Sequence, residues 1–95
     1  MKPLNPRRLK DFIAQHPNAG PALRSWWATA VGVEWKDFSA VRQTFNSASY
    51  VDPFTVFNIK GNDYRLVTYI DYERALVILK WFGTHAEYDK GKWKP

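Results

Sequence analysis

The sequence predicts an α+β fold: N-terminal helices packed on one face of a small antiparallel β-sheet, with a short C-terminal helix after it. Three observations predict it. Apolar residues of the first half recur at helical spacing, whereas those of the second half alternate in runs rich in Val, Ile, Tyr and Phe. A length of 95 residues allows one domain, residues 1–95, with one modest core.

The first helix is expected over Arg7 to His16, where Leu9, Phe12 and Ile13 share a side and Pro17 and Gly20 break the pattern. A second runs from about Pro21 to about Val31, with Leu23, Trp26, Trp27 and Ala30 as its apolar side. The pattern weakens after Trp35. A short helix fits around Phe38 to Phe45, and Ser47, Ser49 and Pro53 mark a loop.

Three strands follow, Phe54 to Lys60, Asp63 to Tyr72 and Ala75 to Phe82. Gly61-Asn62 has the chemistry of a two-residue hairpin turn, because both residues tolerate positive φ. That turn sets a register in which Asn58 opposes Arg65, Val56 opposes Val67, Phe57 faces Leu66 and Ile59 faces Tyr64. One face then carries Phe57, Ile59, Tyr64, Leu66 and Ile70, and packs on the helices. The other carries Asn58, Lys60 and Arg65 and stays at least partly open. With Glu73-Arg74 as the next turn, Ile70 pairs with Val77, Val67 with Lys80 and Arg65 with Phe82. Val77, Leu79 and Trp81 then join the core face, and Lys80 joins Arg65.

Continuing past Phe82 brings His85 to the level of the first turn, near Lys60 and Arg65. Thr84-His85-Ala86-Glu87 has the Ser/Thr-x-x-Glu form of a capping box. His85 would open that helix, where free N–H groups and the dipole favour a phosphate, with Tyr88 on the same side.

These residue types suit attack of an RNA 2′-hydroxyl on the adjacent phosphorus. Such a reaction needs a base, an acid for the departing 5′-oxygen, and cations for the added negative charge. His85 can titrate near neutral pH, Arg65 can grip phosphate oxygens in a fork, and Lys60 can supply a mobile charge. Tyr88 can stack on a base or relay a proton. Asn58 and Lys80 share the predicted face. Lys90, Lys92 and Lys94, with Trp93 among them, form a basic aromatic tail suited to a nucleic-acid backbone.

The formal charge of +5 and a pI near 9.6 favour an anionic partner without requiring one. The chain has no cysteine and two histidines, so disulfides are excluded and neither a metal site nor another cofactor is expected. It shows no run long enough to span a bilayer and no leader pattern, so a soluble cytoplasmic protein without a membrane partner is expected.

FNIKGNDYRLV and GTHAEYDK, preceded by Leu9, Phe12, His16, Pro17, Leu23 and Trp26 in an Leu-x-x-Phe, His-Pro, Leu-x-x-Trp beginning, resemble the HigB-type toxins of the RelE superfamily. The likeness runs over nearly the whole chain. It implies a RelE-like fold and a type II toxin that cuts mRNA on the translating ribosome, in its A site. It also implies a cognate helix-turn-helix antitoxin of the HigA kind, with a toxin–antitoxin hetero-oligomer. By position, Arg65 matches the family's phosphate-binding arginine, and His85 and Tyr88 match its C-terminal active-site segment. Lys60 and Lys80 rest more on the register. Many members add an N-terminal edge strand, which Pro3 and Pro6 would shorten here.

Other readings of the same residues stay open. His85 could be only a helix-start residue, Arg65 could pair with Asp63 or Asp71, Tyr88 could be packing, and the tail could be a solvated end. His16, before Pro17, reads as structural or solvent-facing. As a whole, the chain could be a non-catalytic RNA- or ribosome-binding module, or its five tryptophans could form a ligand surface. The spacing of Trp26 and Trp81 places both in the core and argues against that last reading.

Overall fold

The computed structural model describes residues 1–94. Its elements are β1 (Lys2–Leu4), α1 (Pro6–Gln15), a 3-10 turn (Pro17–Ala19), α2 (Gly20–Val31) and α3 (Phe38–Thr44). They are followed by β2 (Ser49–Val51), β3 (Phe54–Ile59), β4 (Tyr64–Asp71), β5 (Leu76–Thr84) and α4 (His85–Asp89). The five strands form one sheet in the order β1-β5-β4-β3-β2. The α+β class holds, but the sheet is mixed, because β1 runs parallel to β5 while the remaining pairs are antiparallel.

The edge strand β1 survives its proline. Lys2 N–H donates to the Ala75 carbonyl at 2.8 Å, and Pro3, which has no N–H to offer, is buried beside Val77. The Met1 amino group reaches the Val33 carbonyl and its sulfur accepts the Trp35 N–H at 3.4 Å, which fastens the strand to the loop after α2. At the opposite edge, β2 occupies Ser49–Val51, a stretch read from sequence as loop. Its pairing with β3 turns on Asp52-Pro53, a cis peptide.

The core lies between the helices and one face of the sheet. Leu23, Trp26 and Ala30 of α2 meet Phe57, Ile59, Leu66, Ile70, Val77, Leu79 and Phe82, all buried, while Leu9, Phe12 and Ile13 of α1 pack at its margin. Trp26 and Trp35 both lie against Phe57, at 5.3 and 6.0 Å between ring centres. Each such side chain withdrawn from water contributes about 1.5–3 kcal/mol. Asp37 caps α3 by accepting the Ala40 N–H at 2.9 Å, the usual work of an N-terminal aspartate.

The β3–β4 register is the predicted one, with Val56 opposite Val67, Phe57 opposite Leu66, Asn58 opposite Arg65 and Ile59 opposite Tyr64. The turn differs in detail, since positive φ falls on Lys60 and Gly61 and not on Asn62.

Between β4 and β5 the predicted register holds only at its start. Ile70 pairs with Val77 and Thr68 with Leu79, but Val67 then pairs with Trp81, so Lys80 is an extra residue in a β-bulge. Arg65 therefore faces Gly83, not Phe82. The parity reversal sends Phe82 into the core, where it stacks on Phe12 at 5.6 Å and on Tyr64 at 5.3 Å. It sends Trp81 to the opposite face, half-buried, which corrects its placement in the core. Arg8 of α1 meets the chain at the bulge, its Nη1 donating to the Leu79 carbonyl at 3.0 Å and the Lys80 carbonyl at 3.3 Å.

Candidate active site

On the sheet face away from the helices, Asn58, Arg65 and Gly83 form one row across β3, β4 and β5. The chain ends β5 at Thr84 and opens α4 at His85, whose N–H donates to the Asp63 carbonyl at 2.9 Å. That bond ties the start of α4 to the hairpin turn. The capping box is formed in full: Thr84 Oγ1 accepts the Glu87 N–H at 3.1 Å, and Glu87 accepts the Thr84 N–H at 2.9 Å. The Thr84 backbone N–H, and then its hydroxyl, hold the Glu87 carboxyl below the ordinary glutamate range.

Arg65 is fixed by neutral acceptors. Its Nη1 donates to the carbonyls of Asn62 and Tyr64, both at 3.1 Å, and its Nη2 to Asn62 Oδ1 at 2.6 Å. Asp63 instead lies 3.9 Å from Lys60, and Asp71 lies 3.9 Å from Arg74. Among the described residues, neither Asp63 nor Asp71 therefore pairs with Arg65.

Arg65 Nη2 also lies 3.3 Å from His85 Nδ1. A guanidinium nitrogen can only donate, so Nδ1 accepts and the proton of a neutral imidazole sits on Nε2. Nε2 in turn lies 3.3 Å from Asp89 Oδ2, one helical turn on. The tautomer follows from this network.

Tyr88 completes the group, half-buried, with the Arg65 guanidinium carbon 6.0 Å from its ring centre. Burial raises its phenol above the ordinary range, the nearby Arg65 charge opposes that shift, and Asp89 adds to it.

Of the other predicted residues, Asn58 is half-buried in the Arg65 row, while Lys60 is exposed with its ammonium toward Asp63. Lys80 does not pair with Val67 as predicted; it is the exposed extra residue of the bulge, and its carbonyl accepts from Arg8. Lys90 and Lys92 are exposed just beyond α4. His16 packs edge-on to Tyr64 and Phe82 at 5.3 and 5.5 Å, a structural placement. No group of three or more His, Cys, Asp or Glu among the described residues is arranged to hold a metal ion, and no helix there is long and apolar enough to cross a membrane.

Sequence reasoning missed Asn62 as an anchor of Arg65, having read it only as a turn residue. It also missed an aromatic layer on this face. Trp81 lies 6.5 Å from Tyr88, Trp93 stacks on Tyr88 at 5.1 Å, and Val56 and Val67, each 1% exposed, occupy the same face. The signal for that layer was the Lys-Trp-Lys tail, which composition alone does not place.

One guanidinium in the Asn58–Arg65–Gly83 row, an imidazole and a phenol gather on the sheet face away from the helices, which defines a small helix-backed α+β protein with a polar cluster at one end of its sheet. Residues 19–91 match the HigB toxin family, described as the RelE-like toxic component of a toxin–antitoxin system, and the chain belongs to that family. Membership implies an antitoxin partner. The chain is 28% identical over 86 residues to the mRNA interferase toxin HigB of Escherichia coli K12, covering 87% of this chain and 83% of that one. It is likewise 28% identical, over the same shares, to the mRNA interferase HigB of Shigella flexneri. Its identity to the mRNA interferase HigB of Escherichia coli O6:H1 is 25% over 84 residues, or 85% of this chain and 82% of the relative.

Proposed function

We propose that this chain is an mRNA interferase, an endoribonuclease that cuts mRNA in the ribosomal A site by attack of a 2′-hydroxyl on the adjacent phosphorus. The observation that carries the proposal is the 3.3 Å approach of Arg65 to His85, with no carboxylate of the described residues paired to Arg65. The names of the relatives support the substrate.

In this reading Arg65 turns its fork from the Asn62 acceptors to the phosphate oxygens, and Lys60 adds a second positive charge as the pentavalent transition state forms. Moving Arg65 frees His85 Nδ1 to exchange a proton with the substrate, as base toward the 2′-hydroxyl or as acid toward the 5′-oxygen, while Asp89 on Nε2 holds the ring and balances the charge of its protonated form. Tyr88 stacks on a base or relays the proton. Asn58, Lys80, Lys90 and Lys92 hold the RNA backbone along the same face. The nucleophile belongs to the substrate, so no metal-activated water is needed.

The partner is proposed to be a HigA-like helix-turn-helix antitoxin in a hetero-oligomer with the toxin, and the site of action the cytoplasm. A second reading, a non-catalytic RNA- or ribosome-binding module, is favoured by one observation: both ring nitrogens of His85 are engaged at rest. Induction of the chain and its Arg65→Ala variant in a bacterial host, with mapping of new mRNA ends, separates the two. Translation-dependent ends that the variant lacks support the nuclease. Growth arrest without new ends supports the binding module.

A further inference from the structure

We propose that Trp93 is a positioning residue for Tyr88, an inference that rests on the nuclease reading above and deepens it. The family match ends at residue 91, so it assigns Trp93 nothing.

The C-terminal segment is built to return. Gly91 adopts φ +76, its N–H donates to the Tyr88 carbonyl at 2.9 Å, and Lys92 N–H points to the Glu87 carbonyl at 3.4 Å. This is the Schellman arrangement at a helix C-terminus, with glycine in the left-handed position that other residues rarely adopt. It reverses the chain so that Trp93 lies back over α4.

Once there, the indole packs parallel to the Tyr88 ring, with 5.1 Å between centres and 7° between planes. It also meets Phe54 of β3 edge-on, at 5.9 Å and 82°. Trp93 thus bridges the sheet and α4, and the Lys94 ammonium lies 5.7 Å from its ring centre. With Arg65 6.0 Å from Tyr88, a continuous series runs Arg65, Tyr88, Trp93, Phe54. A helix of five residues has little stability of its own, so the direction of its tyrosine depends on what it packs against. Trp93 supplies that support and fixes where the phenol meets the scissile region.

The test is single-turnover cleavage of a defined mRNA on programmed ribosomes by the full chain, with Trp93→Ala, Trp93→Phe, Gly91→Ala, Tyr88→Ala and the Tyr88→Ala/Trp93→Ala double variant. Trp93→Ala should lower the maximal cleavage rate roughly tenfold to a hundredfold, with the half-saturating toxin concentration little changed. Trp93→Phe should restore most of the rate, and Gly91→Ala should resemble Trp93→Ala. In a Tyr88→Ala background, Trp93→Ala should cost nothing further. Tyr88 ring-proton NMR shifts should move toward those of an unstacked tyrosine in Trp93→Ala while the core methyl resonances stay in place. A full-rate Trp93→Ala enzyme would overturn the inference alone, as would a loss that persists in the Tyr88→Ala background or appears mainly as weaker binding. A wild-type chain that cuts nothing on ribosomes would overturn the nuclease reading, and this inference with it.

Discussion

Arg65 Nη2 and His85 Nδ1 lie 3.3 Å apart although twenty residues separate them in the chain. The hairpin turn and the Asp63–His85 backbone bond hold the two together, and the contact selects the Nε2–H tautomer of His85. Removing the guanidinium removes the charge proposed to stabilise the transition state. Arg65→Ala should therefore lower cleavage by about 10²–10³-fold while its unfolding free energy changes by about 1 kcal/mol or less. Arg65→Lys keeps charge but loses the fork, and should fall between the two. Single-turnover rates and urea denaturation of the same preparations check both.

The row that holds Arg65 requires a residue without a side chain at 83. A Cβ built on Gly83 would stand 2.4 Å from Trp81 Cη2 and 2.6 Å from Cζ2, inside the indole. Gly83→Ala should cost about 1–3 kcal/mol, and Trp81→Ala in the same chain should recover part of it. A double-mutant cycle by chemical denaturation measures the coupling.

The carbonyls at the Lys80 bulge accept hydrogen bonds from a side chain distant in sequence. Arg8 bonds the carbonyls of Leu79 and Lys80, so Arg8→Ala should destabilise the chain by about 1–2 kcal/mol. Amide exchange should accelerate around Lys80 and Trp81 before it does in β3. Exchange followed by NMR shows whether the loss is local.

The capping box should give α4 a pH dependence. Glu87 has a folded-state pKa depressed mainly by the Thr84 N–H, so its contribution is present above the ordinary glutamate value of about 4.5 and is lost as pH falls through the depressed one. Glu87→Gln should be less stable than the parent at pH 7 by about 1 kcal/mol or less, and the gap should close below pH 4.5. Thermal melts between neutral and acidic pH compare them.

These relationships also separate what the sequence could reveal from what it could not. The Asn58–Arg65 pairing was legible because a short turn with distinctive chemistry fixes its neighbours locally. The capping box was legible for the same reason. The exchange of Trp81 and Phe82 between faces was not, because alternation alone cannot announce an extra residue in one strand. The strands β1 and β2 have three residues each, and their prolines and serines read as breaks; partners supplied by the sheet override that local preference. At the site, Arg65 and His85 met despite the bulge, since a shift of one residue is small against the reach of their side chains. Trp93 was visible as an aromatic in a basic tail, but its place on Tyr88 depends on the reversal at Gly91.

Cleavage of a defined mRNA on programmed ribosomes by the purified chain, with Arg65→Ala and His85→Ala alongside, decides whether the Arg65–His85 pair is a nuclease site. A nuclease site at Arg65 and His85 gives a discrete cut by the parent chain, loss of at least two orders of magnitude in rate for Arg65→Ala, a clear loss for His85→Ala, and folded variants. Cleavage at the parent rate by two folded variants would contradict it, and so would a parent chain that binds ribosomes and leaves the message whole.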